Sequence, residues 1–231
     1  DIQLDKGVVE VNKLAVVVDT GILVAQGTYA LHGPVNLQVG SRNFSSKILS
    51  DIFGKNNIDI DTRIDCAANV SGTSDHPQVD MSVQFNGGTI NGISFTNVFG
   101  LISVRDGIIH INQAFISRNP YKTSAYGTIP VEALMGNQNS DESMDVTFKL
   151  ENAGLEILAF ATPLVTQGSG GLNGTVKLTG TLAEPRLKGN LFVHHGILQF
   201  RYLKNPLENI EASILFDGTT ATITSSGTMD K

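Results

Sequence analysis

Apolar and polar residues alternate along most of this chain, and the alternating runs are short. Val79, Met81, Val83 and Phe85 alternate with Asp80, Ser82 and Gln84. Leu191 and Val193 lead into His194-His195-Gly196, after which Leu198, Phe200 and Tyr202 resume the pattern. Ile210, Ala212, Ile214 and Phe216 repeat it before Asp217-Gly218, as do Val146, Phe148 and Leu150, and Ile58, Ile60 and Ile64. Successive side chains of a strand point to opposite faces, so each run predicts a strand with one apolar and one polar face. Gly or Asn-Gly pairs separate several runs, as tight hairpins require. The pattern predicts an all-β chain of many short antiparallel strands, with more than half of the residues in one elongated, curved sheet. Val79, Val83, Phe85, Leu191, Val193, Leu198, Phe200, Ile210, Ile214 and Phe216 share the apolar phase of their own strands. They are expected to line one face, directed into the concave side.

Two segments break this period. Ser45 to Phe53 places Ile48, Leu49, Ile52 and Phe53 at helical spacing, with Gly54 as a C-cap. Leu155, Leu158, Ala159 and Thr162 also fit a helical period, which Pro163 would end. Each predicts a short helix that plugs a gap or an end of the sheet; a gate or a partner-docking helix is the sharper reading.

An internal repeat runs beneath the strands. Among the Gly-Thr pairs, those at Gly27, Gly72, Gly127, Gly180 and Gly227 stand 45, 55, 53 and 47 residues apart; others occur at Gly88, Gly174 and Gly218. VSGTSDHPQVDMSVQFNGG (from Val70) aligns without gaps to LTGTLAEPRLKGNLFVHHG (from Leu178), at a constant offset of 108. Gly72 then matches Gly180, Thr73 matches Thr181, Pro77 matches Pro185, and Gly88 matches Gly196. The apolar positions follow: Val79 with Leu187, Val83 with Leu191, Phe85 with Val193, Ile90 with Leu198. A repeat of about 50 residues holding about four short strands predicts an array that grows along one axis. Residues 1–231 are accordingly read as a single elongated β-repeat segment. The chain opens inside a patterned stretch, DIQLDKGVVEV, and closes abruptly at GTMDK, so it is expected to be an excised piece of a longer protein.

Composition sharpens this picture. Lys and Arg total 16 against 22 Asp and Glu, a net charge of −6 with no basic stripe, which argues against nucleic acid as a partner. Charged residues make up only 16% of the chain, against about 25% in ordinary domains. Hydrophobic residues reach 41%, and mean hydropathy is +0.04. A chain this poor in charge hides much apolar surface or carries an apolar face with a purpose. Disorder is excluded on the same grounds. The one cysteine, Cys66, leaves no internal disulfide framework and no Cys-rich zinc site. No stretch approaches the roughly 18 consecutive apolar residues of a membrane-spanning helix.

The string from Gly168 to Phe200, GSGGLNGTVKLTGTLAEPRLKGNLFVHHGILQF, resembles the C-terminal repeat region of the TamB and AsmA-like family of bacterial envelope proteins. The family pattern runs Gly, a short strand, Gly-Thr, a few residues, Pro, an apolar residue, Gly, a strand, then Gly. It is matched by Gly174, Gly180, Thr181, Pro185, Leu187, Gly189 and Gly196. The earlier copy departs from it, with Met81 where Gly189 stands. The resemblance covers about two thirds of the chain and is best after Asp145. It implies a sheet bent into a U, the β-taco of bridge-like lipid transporters, with an apolar groove inside. It also implies anchoring in the inner membrane by a segment outside this chain, a course across the periplasm towards the outer membrane, and no cofactor. The implied partners are phospholipid acyl chains or outer-membrane β-strands, with an outer-membrane barrel protein among them. The implied roles are phospholipid transport between the membranes and assistance of outer-membrane protein assembly.

Catalytic chemistry is hard to find. None of His32, His76, His110, His194 and His195 belongs to a His-Glu-x-x-His motif, and no Gly-x-Ser-x-Gly or Walker motif exists. In a regular strand His194 and His195 would point to opposite faces and could not share a metal ion. Asp75 and His76 precede Pro77 in a turn, Cys66 reads as a small buried hydrophobe, and Asp141 and Glu142 fall in a polar linker. No enzyme and no metal site are expected. The competing reading is an extracellular β-solenoid, an adhesin or a carbohydrate-active module. Parallel coils would give a shorter period of about 20 to 30 residues and stacked ladders.

Overall fold

A computed structural model describes residues 2–5, 7–47, 60–90, 92–118, 121–134, 142–155 and 164–229. The strands are β1 (Ile2–Asp5), β2 (Val8–Val18), β3 (Gly21–Ala30), β4 (Val35–Ser45), β5 (Ile60–Gly72), β6 (Pro77–Ile90) and β7 (Ile93–Arg105). They continue as β8 (Ile108–Arg118), β9 (Tyr121–Pro130), β10 (Met144–Gly154), β11 (Val165–Gly180), β12 (Pro185–Phe200), β13 (Leu207–Gly218) and β14 (Thr220–Met229). They form one 14-stranded sheet in simple sequence order from β1 to β14. Every pairing whose register is described is antiparallel. The all-β meander that the alternation predicts is therefore present, and no parallel pairing occurs among the described residues. Contacts gather the chain into two compact units: residues 1–118 with 126–136, and residues 119–125 with 137–231.

The two expected helices fall almost entirely outside the described residues. Of Ser45–Phe53, only the first three residues are described: Ser45 ends β4, and Ser46 and Lys47 begin a helical turn. Of Leu155–Thr162, only Leu155 is described, in a 3₁₀ turn. The remainder of both segments lies outside the described residues. An unforeseen helix, α1, spans Val131–Leu134. Pro130 precedes it, and its first N–H, on Val131, donates to Gly107 O at 2.8 Å. Four residues are too few to show a helical period, so the alternation could not reveal it.

The repeat has a structural cause. Gly72 and Gly180 end β5 and β11 with φ of +89° and +88°. At each, a Cβ would press on the carbonyl oxygen four residues on, His76 O at 2.6 Å and Glu184 O at 2.4 Å. The hydroxyl of the next residue closes the same turn. Thr73 Oγ1 accepts the His76 N–H at 3.2 Å, and Thr181 Oγ1 accepts the Glu184 N–H at 3.1 Å. The offset of 108 also superposes Gly87 on His195, both at positive φ in a bulge. Two expectations need correction. The other three of the five spaced Gly-Thr marks are not turns, since Gly27 lies within β3, Gly127 within β9 and Gly227 within β14. The offset spans the six strands β6 to β11, so about 50 residues hold about three strands rather than four.

Bulges interrupt the ladders in both units, and in the first unit they fall on alternate strands, β2, β4, β6 and β8. In the second unit the registers shift at Leu150/Ala153, Val165/Gln167, Ser169/Gly171, Val193/Gly196, Gly196/Leu198 and Glu208/Glu211. In the first unit they shift at Val11/Leu14, Ser41/Phe44, Thr62/Ile64 and Leu101/Ile102. Three bulges hold a non-glycine residue at positive φ whose N–H is capped from the next strand. Asn43 donates to Asp65 Oδ1 at 2.6 Å, Asn152 to Asn173 Oδ1 at 2.6 Å, and His195 to Glu211 Oε1 at 2.9 Å. Each cap satisfies a donor that the broken ladder leaves over.

Candidate binding face

In the first unit one face is apolar from strand to strand. Directly opposed residues share a face, so register alone defines its rows. Val11, Gly27, Leu37, Val70, Val79, Val104 and Ile109 form one row. Ala25, Val39, Ala68, Met81, Ile102 and Ile111 form the next. Val16, Leu23, Ser41, Cys66, Val83, Gly100 and Ala114 follow, then Phe44, Ile64, Phe85, Val98 and Ile116. No charged side chain interrupts these rows. Val79, Val83 and Phe85 are half-buried there, as are Leu37, Met81, Cys66, Ile102 and Ile111. Phe44 and Ile64, towards the bulged ends, are dry, and Gly100 is buried with them. Ser41, the one hydroxyl in these rows, donates its Oγ–H to Ile64 O at 3.2 Å. Burial pushes the Cys66 thiol above its ordinary pKa, in keeping with half-burial among apolar neighbours.

In the second unit the same phase builds a closed core. Ala153, Leu172, Val193 and Ala212 form one row; Leu150, Gly174, Leu191 and Ile214 form the next, which ends at the exposed Ile223. Leu172 is 1% exposed, Leu155 0%, Val193 4% and Leu191 8%. Ile210 is buried with them, while Leu198, Ile214 and Phe216 pack half-buried against the cluster. Phe200 lies opposite Val165 and is half-buried outside it. The ten residues predicted as a lining therefore fall into two settings. Val79, Val83 and Phe85 sit on a half-covered face; most of the other seven belong to a dry core or pack onto it. Alternation marks the phase in both and is silent on what covers it. Cys66, Ala68 and Val70 share the first setting but are missing from the expected lining, although their alternation along β5 is visible in the sequence.

The two adjacent histidines do not behave as a regular strand would require. His195 has φ +51°, so the bulge turns both rings towards one carboxylate. His194 Nδ1 lies 3.0 Å from Glu211 Oε2, and His195 Nδ1 lies 3.8 Å from Glu211 Oε1. Among the described residues no group of three or more His, Cys, Asp or Glu is arranged to hold a metal ion. Nor is any helix among them long and apolar enough to cross a membrane. The His195 N–H, aided by the His194 ring, holds the Glu211 carboxyl below its ordinary pKa of 4.5 against partial desolvation. A depressed carboxyl stabilises the fold above its unfolded pKa and loses that contribution as pH falls through the folded value. Glu211→Gln should therefore melt lower than the parent at pH 7, and the gap should close below about pH 4. A gap of equal size at both pH values, read by thermal melting, would count against the cap.

Comparison with protein-family models, with curated proteins and with solved structures finds no match for the chain.

Proposed function

We propose that this chain is a segment of a bacterial envelope protein that holds phospholipid acyl chains on the apolar face of its first unit, without catalysis. The observation that carries the reading is the set of charge-free rows from β2 to β8, most of whose side chains are half-buried rather than dry. Apolar surface left in this state favours any ligand that removes it from water, at about 0.8 kcal/mol per methylene buried. The chemistry of the face favours an acyl chain over an unfolded outer-membrane strand. Backbone N–H and C=O groups of the sheet are spent on neighbouring strands, so the face offers side chains only. A peptide laid across it would bury its own amides without partners. An acyl chain has none to satisfy. On this reading the protein lies in the periplasm, is anchored in the inner membrane by residues outside this chain, and moves phospholipid towards the outer membrane. Help with outer-membrane protein assembly would follow from that traffic.

Cys66 supplies the test, because the single thiol lies in the middle of the face. A benzophenone attached there should capture phospholipid from liposomes on illumination, seen as lipid adducts by mass spectrometry of the intact chain. Adducts confined to added outer-membrane protein strands, or none at all, would overturn the reading.

A further inference from the structure

The opposite, polar face of the first unit carries a depression of its own. Three shallow hollows of about 310, 510 and 300 Å³ run diagonally from β2 to β7. The first two share Gln26 and Gln38, and the last two share Ala67. The floor exists because small residues fall side by side. Gly40, Ala67 and Ser82 are direct cross-strand neighbours. A Cβ at Gly40 would already come within 3.3 Å of Val24.

The walls are chemically specific. Along one side, Gln26, Gln38 and Asn69 form a row of amides, with Gln26 Nε2 donating to Gln38 Oε1 at 2.8 Å. Each amide both donates and accepts, and one bond leaves most of that capacity open. At the far end Phe99 and Phe115 stack with ring centroids 5.3 Å apart, and Phe115 is 38% exposed. The charges along the trough are Glu10, Lys13, Arg42 and Asp65, which cancel. The Asp65 oxygens are occupied, Oδ1 by the Asn43 N–H and Oδ2 by Asn86 Nδ2 at 2.8 Å.

The geometry points to a binding site for a neutral linear glycan along this trough. Sugar hydroxyls both donate and accept, as the amide row does. The C–H face of a pyranose suits an exposed aromatic platform. An extended length crossing several strands suits a chain rather than a single small molecule. The cancelled charge disfavours a polyanion. An extended peptide is the weaker fit, because it would need regularly spaced partners for its backbone amides, and a diagonal path across strands offers none. The site stands apart from the acyl-binding reading, since it occupies the other side of the sheet.

Isothermal titration of the intact chain with cellohexaose and with chitohexaose tests it. Saturable binding is expected for at least one, with a Kd on the order of 1 mM or tighter. Ala67→Leu fills the floor and Phe115→Ala removes the platform; each should weaken binding about tenfold or more. Both should leave lipid capture from Cys66 unchanged, and thermal melting establishes that each variant is folded. No saturation by either glycan overturns the site. So does binding that neither substitution weakens, or tighter binding of heparin or of an extended neutral peptide than of both glycans.

Discussion

Leu172→Asp should unfold the second unit at temperatures where the parent chain is fully folded. Leu172 is 1% exposed, opposite Ala153 and Val193, within the cluster that includes Leu150, Leu155 and Ile210. No cation belongs to that cluster. The substitution removes a leucine from a packed site, at about 2–5 kcal/mol, and leaves a carboxylate without a partner, at several kcal/mol more. The sum rivals the 5–15 kcal/mol that typically separates folded from unfolded chains. Circular dichroism on heating or in urea reads it directly. A melting temperature within a degree or two of the parent would mean that water already reaches this face. The core described for the second unit would then be wrong.

The strands were legible because alternation is a local consequence of the pleat. Val79 to Phe85 and Leu187 to Val193 show it without reference to any other part of the chain. Their partners were legible only in part. The match at offset 108 pairs Gly87 with His195 and Gly72 with Gly180, which share a positive φ, but also Gly88 with Gly196, of which only Gly88 has one. What the alternation hides is the place where it fails. At His194-His195 one extra residue and a positive φ carry two successive side chains towards one carboxylate, which period two forbids in a regular strand. The polar trough was invisible for a related reason. Gly40, Ala67 and Ser82 lie far apart in sequence, and only the register of three strands brings them side by side. Coverage was the third gap. Val83 and Leu191 are the same kind of residue in the same phase, matched by the repeat. One is half-buried and the other dry, because burial depends on what lies above a face rather than on the strand beneath it.

That difference yields the converse expectation for Val83→Asp. Val83 lies opposite Cys66 and Gly100 on the half-covered face, so a carboxylate there keeps access to water and stays ionised. The loss of a half-buried valine amounts to about 1 kcal/mol, and the melting temperature should move by only a few degrees. Its effect on an acyl chain should be far larger. A methylene chain crossing that row must strip water from the carboxylate and returns no hydrogen bond for it. Lipid captured per labelled molecule from the benzophenone at Cys66 should fall about tenfold or more. Ile214→Asp, in a row that packs onto the closed core, should instead lower the melting temperature, between Val83→Asp and Leu172→Asp in severity. Should Val83→Asp unfold the chain as readily as Leu172→Asp, the face of the first unit is an ordinary core. Should it leave both melting and lipid capture untouched, the acyl chain does not pass over Val83. Either result removes the physical basis for a lipid-holding face, because that basis is a surface apolar enough to bind and open enough to be reached.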